Sequence, residues 1–437
     1  MLSSFTIKNF RSIVDLTVDF TYGEGKAPNG YQQADLLPFI ESSAKERLVP
    51  CMAFFGANAS GKTNILKAVY TLKNLVAGEI SLASGFDPNV LNKKYQDTTF
   101  SLKFILGENI FEYTITYDAG QIISEILQKD GKPLFEINRL EPKFSKQLLT
   151  QGYSAEKLTE ILRVECSDGE GRQTKLFLNR IGLGYQGLDR DMRGAFFYFN
   201  TTLHVHSNND TMPLSVAVTA LAPLYNNDEK AVLAEIVDIV QQLDIDILGI
   251  DINRKELSPL ETGLPARISV IAESNGARVE YAHGKRHVLA IATSHKDALG
   301  QRTIMDFYKN ESAGTQRLAG LVAIFLGVIK TGSVLFIDEL ESSLHPLLMR
   351  ELVLLFKKRS RNAKDAQLIF TTHNTDILDD SILRVSEIAL TRKNLPNGTM
   401  IRRLVDLKNK GDDIRNVTNF RKQYLAGFYS GIPHPAI

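Results

Sequence analysis

The sequence is poor in cysteine, contains no tryptophan and has almost no excess of either charge. Its two cysteines, Cys51 and Cys166, are too few for a disulfide framework, and no Cys/His pairs occur at the spacing of a zinc site. The 51 basic and 50 acidic residues leave a formal net charge of +1, which does not favour general adhesion to nucleic acid. The basic run 357–359 is typical of a solvated helix face.

Long hydrophobic stretches are also missing. The longest strongly apolar run, 321–329, is far shorter than the roughly 20 residues that cross a bilayer. Residues 1–12 lack the apolar core of a signal peptide. The sequence therefore predicts a soluble, cytoplasmic protein without a membrane partner. At 437 residues, of which 43% are hydrophobic, the chain can form one large domain or a few modest ones.

The period of the hydrophobic pattern changes along the chain. Residues 1–80 combine alternating strands with an apolar run, a glycine-rich loop and helical spacing. Residues 81–140 alternate as in an antiparallel β-meander, and residues 141–300 mix helical and β patterns. Over 301–437 buried strands and helices alternate again. The sequence thus predicts an α/β core whose two halves are separated by an antiparallel β-subdomain and an inserted mixed helical/β region.

Two local patterns inside the inserted region predict particular elements. Apolar residues at helical spacing predict a helix over 228–243 with a buried stripe. The pair Asn275-Gly276, between two short apolar stretches, predicts the turn of a β-hairpin.

Residues 56–63 match the pattern G-x-x-x-x-G-K-T in full. Its glycines let backbone N–H groups surround phosphate oxygens, and the N-terminus of the following helix adds a partial positive charge. Lys62 is predicted to reach the β- and γ-phosphates, and Thr63 to ligate Mg²⁺. Because an apolar strand precedes the pattern and a helix follows it, the sequence predicts an ATP-binding P-loop. Its nucleotide-binding residues are predicted to be Gly56, Asn58, Ala59, Ser60, Gly61, Lys62, Thr63 and Asn64.

A second motif places two carboxylates, Asp338 and Glu339, directly after the buried strand 333–337. Ligands of α/β sheets bind at the carboxyl ends of the strands. Asp338 is therefore predicted to hold Mg²⁺, directly or through water, and Glu339 to polarise the attacking water.

Two further positions are candidates for nucleotide contacts. His373 follows the apolar strand 367–372 and is predicted to contact the γ-phosphate, with a capping role as the alternative. Ser312, Gly314 and Thr315 lie at the start of a predicted helix, where a hydroxyl and free N–H groups can bind an anion. An ordinary N-cap is the alternative for Ser312.

The order of these motifs resembles the ABC-type ATPase heads of SMC, RecF and OLD-family proteins, over residues 1–80 and 305–395. This resemblance implies a P-loop NTPase fold of ABC-ATPase type with a split head, ATP and Mg²⁺ as cofactors, and ATP hydrolysis as the activity. It also implies an ATP-bridged homo-oligomer, at least a dimer. In such a dimer Ser312, Gly314 and Thr315 of one protomer close the ATP site around the partner's Lys62, and Arg11 lies near the nucleotide. Catalytic roles are implied for Lys62, Glu339 and His373.

Departures from other members of these families argue against two cellular roles, transport and SMC-like tethering. The signature lacks the double glycine of transporters, and no long coiled coil separates the halves as in an SMC tether. Residues 424–433 resemble the tail of stand-alone ATPases of bacterial anti-phage systems, including PARIS, the Rlo loci and abortive-infection pairs. This resemblance implies an ATPase switch that senses a phage protein and restrains or releases a separately encoded nuclease or toxin.

A RecF-like DNA repair or replication ATPase is the alternative function. Its support is a set of basic residues that could contact DNA phosphates. They are Arg350, Lys357, Lys358, Arg359, Arg361, Arg402 and Arg403. A GTP-binding switch is less well supported, because the sequence has no Asn-Lys-x-Asp motif for reading guanine.

Overall fold

The chain forms two compact units. The computed structural model describes residues 1–23, 35–91, 95–150, 154–184, 190–207, 214–256, 278–282, 285–394, 398–408 and 420–429. Unit 1 consists of Met1–Asn208, Thr331–Glu341 and Val353–Ile437, and unit 2 of Asn209–Lys330 and Ser342–Leu352. The hairpin predicted at Asn275-Gly276 and residues 430–433 of the tail lie outside the described residues. The four-part division drawn from the sequence stays a prediction.

Strands and helices are numbered separately in chain order. The strands are β1 (Leu2–Phe10), β2 (Ile13–Asp19), β3 (Ile40–Glu41), β4 (Arg47–Leu48), β5 (Cys51–Phe55), β6 (Thr98–Leu106), β7 (Asn109–Tyr117), β8 (Ile122–Lys129), β9 (Lys132–Asn138), β10 (Glu141–Phe144), β11 (Leu203–His206), β12 (Gly249–Glu256), β13 (Arg278–Ala282), β14 (Lys285–Lys296), β15 (Arg302–Asp306), β16 (Val334–Ile337), β17 (Gln367–Thr371), β18 (Ile388–Asn394) and β19 (Gly398–Arg403). The helices are α1 (Lys62–Ala77), α2 (Leu82–Gly85), α3 (Lys146–Thr150), α4 (Ala155–Glu165), α5 (Phe177–Gly184), α6 (Arg190–Phe197), α7 (Leu214–Leu221), α8 (Glu229–Gln242), α9 (Phe307–Asn310), α10 (Ala313–Thr331), α11 (Pro346–Lys357), α12 (Leu404–Lys408) and α13 (Phe420–Leu425).

Unit 1 is built on a 13-stranded sheet in the order β10-β9-β8-β7-β6-β1-β2-β19-β18-β5-β17-β16-β11. The five neighbours from β18 to β11 are parallel to one another. The other neighbours are antiparallel, among them the predicted meander β6–β10, which joins the sheet where β6 pairs with β1. The parallel part therefore places the carboxyl ends of β5, β17 and β16 side by side.

The strands at the centre of the parallel part are buried along their whole length. Every residue of β5, β16 and β17 is buried, and this agrees with the unbroken apolar runs that sheets covered on both faces require. Helix α1 follows β5 and buries an apolar stripe that includes Ile65, Val69 and Leu72. The buried strands and the helix predicted around the P-loop are confirmed, with boundaries shifted by one or two residues.

Unit 2 contains a second, four-stranded sheet. Its central strand, β14, pairs with β12 on one side and with β13 and then β15 on the other. Helix α8 forms where the sequence predicts it. Asp228 caps its N-terminus by accepting hydrogen bonds from the backbone of Lys230 and Ala231.

Helix α10 is longer than the apolar run that the sequence pattern marked. Its 19 residues are long and apolar enough to cross a membrane, and 56% of the most apolar window is buried inside the protein. Core helices of soluble proteins pass the same test, so this helix alone is weak support for a membrane span.

The structure corrects the interpretation of the basic run 357–359, at the end of α11, as a solvated helix face. Lys357 is not on a solvated face: its side chain is fully buried, and Nζ lies 2.5 Å from Oε2 of the equally buried Glu387. The amide of Arg384 donates to the same oxygen. Burial raises the pKa of Glu387, and the ammonium of Lys357 opposes that shift. A charged lysine is almost never fully buried unless it is paired in this way.

Both cysteines are free thiols buried in unit 1. Burial raises the pKa of Cys51, and it raises the pKa of Cys166 to about 12. Neither thiol is therefore in the reactive thiolate form near neutral pH.

Candidate functional site

The P-loop connects β5 to α1 and wraps around the amino group of Lys62. Nζ of Lys62 donates to the carbonyl oxygens of Gly56 at 2.8 Å and Ala57 at 3.1 Å. The lysine is 6% exposed, whereas Asn58 and Ala59 at the tip of the loop are exposed. The loop thus offers exposed backbone at its tip and a nearly buried cation at its base.

Two glycines in the loop occupy positions that a side chain could not share. Gly61 has φ of 102°, and a Cβ there would lie 1.9 Å from Oγ1 of Thr399. A Cβ on Gly56 would lie 2.3 Å from Oγ1 of Thr391. Only glycine fits such close approaches, so these positions follow from packing as well as from the phosphate-binding pattern.

Hydrogen bonds from hydroxyl groups fix the P-loop to neighbouring strands. Ser60 and Thr391 share a hydrogen bond of 2.9 Å, and Thr391 also donates to the carbonyl of Phe55. Oγ1 of Thr399 donates to the carbonyl of Ser60. The loop therefore bonds to β18 and β19, which lie more than three hundred residues further along the chain.

The side chain of Asn64 extends this support toward the N-terminal strands. Its Nδ2 donates to Oγ of Ser12 at 2.7 Å, and Ser12 in turn shares a hydrogen bond with Thr399. The sequence analysis missed Ser12, Thr391 and Thr399, because hydroxyl residues in strands are common and only the sheet order brings these three to the loop.

Arg11 lies close to Asn64 but is engaged with an acidic neighbour. Its guanidinium is 3.1 Å from Oδ2 of Asp87, and both side chains are more than a third exposed. Arg11, Ser12 and Asn64 line one open cavity of about 310 Å³. The predicted proximity of Arg11 to the nucleotide stays a prediction, although the arginine shares a cavity with the P-loop residue Asn64.

The carboxylate pair after β16 meets the P-loop. Oγ1 of Thr63 is 3.2 Å from Oδ1 of Asp338, and Oγ1 of Thr371 is 2.5 Å from the same oxygen. Thr371 also accepts a hydrogen bond of 2.8 Å from the backbone amide of Glu339. Glu339 has φ of 47°, a left-handed turn that ends the strand. One threonine on β17 thus fixes both acidic residues.

His373 lies beyond the end of β17 on the same edge of the sheet. Its backbone amide donates to Oε1 of Glu341 at 2.6 Å. Burial and then the charge of Lys62 lower the pKa of His373, although nearby carboxylates oppose the shift. The shift favours the neutral form of the imidazole.

Burial also lowers the pKa of Lys62, and Asp338, Glu341 and Glu339 act in the opposite direction. Three carboxylates around one lysine form a cluster whose charges do not cancel. Such a cluster suits a ligand that brings both cations and negatively charged oxygens.

The Ser-x-Gly signature belongs to unit 2. Oγ of Ser312 accepts a hydrogen bond of 3.1 Å from the amide of Thr315, as an N-cap does, and Ser312 and Ala313 are exposed. A Cβ on Gly314 would lie 3.1 Å from the carbonyl oxygen of Ser343. The start of α10 therefore packs tightly against Ser343, in the loop between β16 and α11, and the first residues of the helix stay open to solvent.

A family model covers the P-loop, the signature, the carboxylate pair and His373, whereas Arg11, Ser12, Thr391 and Thr399 lie outside the matched residues. The family described as "AAA domain, putative AbiEii toxin, Type IV TA system" matches residues 51–163 and 167–379. The chain belongs to this family. The AAA ATPase assignment and the P-loop α/β fold that the motif order predicts are confirmed by this match and by the parallel sheet. The individual site roles stay predictions.

Solved structures show a distant likeness to this AAA-domain protein. An SMC head domain from Thermotoga maritima is 14% identical to this chain. The match covers 92% of this chain and 98% of the SMC chain, with a TM-score of 0.42. An SMC head bound to the C-winged helix domain of ScpA is 12% identical to this chain. The match covers 93% of this chain and 99% of the other, with a TM-score of 0.39. No curated protein matches the chain.

The oxygen ligands present in the AAA-domain protein fit Mg²⁺. Thr63 supplies a hydroxyl and Asp338 a carboxylate, the hard donors that this ion prefers. Within the described ranges no group of three or more His, Cys, Asp or Glu side chains could hold a metal by itself. A cation at Thr63 and Asp338 would take its further ligands from water or from the phosphates of a nucleotide, as is usual for Mg²⁺.

Proposed function

We propose that the protein is a Mg²⁺-dependent ATP hydrolase that binds a second copy of itself when ATP is bound. The observation that carries the proposal is the 3.2 Å contact between Thr63 and Asp338. It brings the hydroxyl of the P-loop to the carboxylate after β16, and these are the two groups that hold Mg²⁺ beside a triphosphate.

Lys62 and the P-loop backbone would bind the phosphates. The ammonium of Lys62 exchanges its present carbonyl acceptors, Gly56 and Ala57, for phosphate oxygens, which form stronger charge-assisted hydrogen bonds. Bound Mg²⁺ and ATP supply the charge neutralisation and the scissile bond. The chain supplies position, because Thr371 fixes Asp338 and the backbone of Glu339 relative to the P-loop.

Glu339 and His373 would act on the γ-phosphate. Glu339 accepts a proton from the attacking water as a general base. The neutral imidazole of His373 can hydrogen-bond to the γ-phosphate and lose that contact after hydrolysis. Both residues follow strands that end at the edge where the P-loop begins, as ligand-binding residues of parallel sheets do.

A second protomer would complete the site with its signature. Ser312 and Ala313 are exposed, and the N-terminus of the 19-residue helix α10 carries a partial positive charge. These groups of one protomer would bind the γ-phosphate held by Lys62 of the other. ATP then stabilises the dimer, because it binds the closed state better than the open one.

Substitution of Lys62 tests the nucleotide site. Lys62→Ala is expected to lower ATP affinity and turnover by about 100-fold or more, since a buried charged donor is lost. Lys67→Ala, on the exposed side of α1, is the matched control and should behave as wild type. Titration with a fluorescent ATP analogue and a phosphate-release assay measure both quantities. Wild-type turnover by Lys62→Ala would contradict the proposal.

Substitution of Glu339 tests the dimer. Glu339→Gln keeps the shape of the side chain but removes the base, so ATP should bind and persist. The variant is expected to sediment as a dimer with Mg²⁺ and ATP and as a monomer without them. Normal hydrolysis by Glu339→Gln would show that Glu339 is not the general base. A molecular mass that stays the same with and without ATP would show that ATP does not control dimerisation.

We also infer that the switch acts in anti-phage defence on a separately encoded nuclease or toxin. The family description refers to toxin–antitoxin systems, and this supports such a role. A pull-down with a tagged chain tests the pairing, because the product of a neighbouring gene should co-purify with it. The amount recovered should differ with and without ATP, and between the wild type and Glu339→Gln. If expression of this chain alone arrests growth, it is itself the toxin and the separate effector is excluded.

A further inference from the structure

Glu311, the residue before the signature, is held by the second sheet. Its side chain is 10% exposed, and Oε1 accepts a hydrogen bond of 2.6 Å from Oγ1 of Thr293. The same oxygen lies 2.6 Å from Nε2 of His295. Thr293 and His295 are two residues apart on β14, so both side chains project from the same face of the sheet. One carboxylate oxygen thus joins the signature loop to the central strand at two points.

Hydrogen bonds continue from Glu311 into α10. Nε2 of Gln316 donates to the carbonyl of Glu311 at 2.9 Å, and the amide of Gln316 donates to the carbonyl of Ser312. The amide of Thr315 donates to Oγ of Ser312. A displacement of Glu311 would therefore shift the hydroxyl of Ser312 and the first N–H groups of the helix.

The sheet also reaches Glu311 along the chain. Strand β15 pairs with β14 and ends at Asp306, which caps the short helix α9 by accepting hydrogen bonds from Tyr308 and Lys309. Glu311 follows that helix directly. The segment between β15 and α10 is consequently fixed to the sheet at its start by β15 and at its end by the carboxylate of Glu311.

We propose that Glu311 is a positioning residue that sets the geometry of the signature from the second sheet, through Thr293 and His295. The inserted region then regulates the ATP-driven dimer, because any ligand that moves β14 moves Ser312 as well. This inference rests on the proposed function, in which the signature acts on the ATP of a partner.

Glu311→Ala is expected to leave the first step, ATP binding by the monomer, unchanged within about twofold. In the Glu339→Gln background it should weaken ATP-driven dimerisation by about tenfold or more, the usual size of coupling between two sites. In an otherwise wild-type chain it should lower kcat with little change in KM. Glu311→Gln should recover most of the loss, since an amide still offers an acceptor to Thr293. Asp238→Asn, at an exposed position of α8, is the control.

Thr293→Val gives a milder test that does not depend on the folding of Glu311→Ala. It removes one hydroxyl from a 1% exposed residue at nearly constant volume, and it should reproduce part of the dimerisation defect. Combined with Glu311→Ala it should add nothing, because both changes break the same contact. Full additivity of the two defects would overturn the proposal.

Mixing two defective chains distinguishes positioning in trans from damage to the fold. A dimer of Lys62→Ala with Glu311→Ala contains one site with an intact P-loop and an intact partner signature. Turnover should therefore return on mixing, toward half of the wild-type value. No recovery, or wild-type dimerisation by Glu311→Ala alone, would overturn the proposal. If the wild-type chain itself fails to dimerise with ATP, the proposed function fails first.

Discussion

Gly61 is the residue at which the geometry of the P-loop is least forgiving. Its φ of 102° is unfavourable for any L side chain, and a Cβ would clash with Thr399. We predict that Gly61→Ala abolishes ATP binding and destabilises the fold by about 3 kcal/mol or more, from the left-handed backbone and the overlap together. Urea unfolding and ATP titration measure the two effects.

Gly107 provides the matched control for that substitution. It also has positive φ, at 57°, but a Cβ would meet nothing within 4 Å. Gly107→Ala should cost only about 1 kcal/mol and leave ATP binding intact. Equal losses in the two variants would show that backbone strain alone, rather than the contact with Thr399, makes Gly61 necessary.

Thr371 is predicted to matter for catalysis although it need not touch the nucleotide. Thr371→Val removes the hydroxyl that bonds to Asp338 and to the amide of Glu339. We expect the Mg²⁺ concentration needed for half-maximal turnover to rise about 10- to 100-fold, as for other groups that orient metal ligands. Mg²⁺ titration of the hydrolysis rate measures the change.

The neighbouring Thr372 serves as the control for this prediction. It is also fully buried, but its hydroxyl accepts from the amide of Asn374 instead of holding a carboxylate. Thr372→Val should lower stability without shifting the Mg²⁺ dependence. A shift of the same size in both variants would mean that loss of packing explains the effect.

The sequence predicts residues whose chemistry is carried by a local pattern. Lys62, Thr63, Asp338 and Glu339 lie in short motifs, and the structure brings the first and second motifs into contact. The role of Thr371 could not be predicted in this way. A threonine at the end of an apolar strand is common, and its partners lie 33 and 32 residues away in the chain.

At the scale of elements, strand β11 forms the outer edge of the parallel sheet and includes a partly buried histidine. Burial, followed by the nearby charges of Lys73 and His206, lowers the pKa of His204 to about 4 from an ordinary value of 6.5. Between these values the unfolded chain binds a proton that the folded protein does not. This contribution to stability is present above pH 6.5 and is lost as the pH falls toward 4.

We therefore predict that the free energy of unfolding falls by up to about 3 kcal/mol between pH 7 and pH 4 because of this histidine. His204→Gln should be less sensitive to pH over the same range. The difference between the two unfolding curves isolates His204, since all other titrating groups are shared. Parallel curves for wild type and variant would contradict the assigned pKa.

Individual strands and helices could be predicted from periodicity, but their arrangement could not. Helices α1, α8 and α10 and the buried strands β5, β16 and β17 appear close to their predicted positions. The pairing of β5 with β17 joins residues 51 and 368, and no local pattern encodes that choice of partner. For the same reason the junction of the meander with β1 was not predicted.

At the scale of the whole molecule, charge argues against the DNA-binding alternative. The formal net charge is +1, and three of the seven basic residues that supported DNA binding are in internal ion pairs. Lys357 is buried against Glu387, Arg359 pairs with Asp365, and Arg403 pairs with Asp19. Fewer cations remain to release counterions from DNA than the sequence alone suggested.

We predict that the protein binds duplex DNA more weakly than about 10 µM at physiological salt, the range of nonspecific contacts. Fluorescence anisotropy with a labelled duplex, at several salt concentrations, measures this affinity. Tight binding with a steep salt dependence would restore the RecF-like alternative. The charge reversal Arg402→Glu would then identify whether the C-terminal strand β19 contributes.

The burial of both thiols gives the protein a surface that cysteine-directed dyes will not label while it is folded. One new cysteine, for example at the exposed Ala313 beside the signature, would therefore carry the only fluorophore on each chain. Because the proposed ATP-driven dimer would cover that position, the emission of the fluorophore would follow the formation and separation of the dimer in real time during a single turnover.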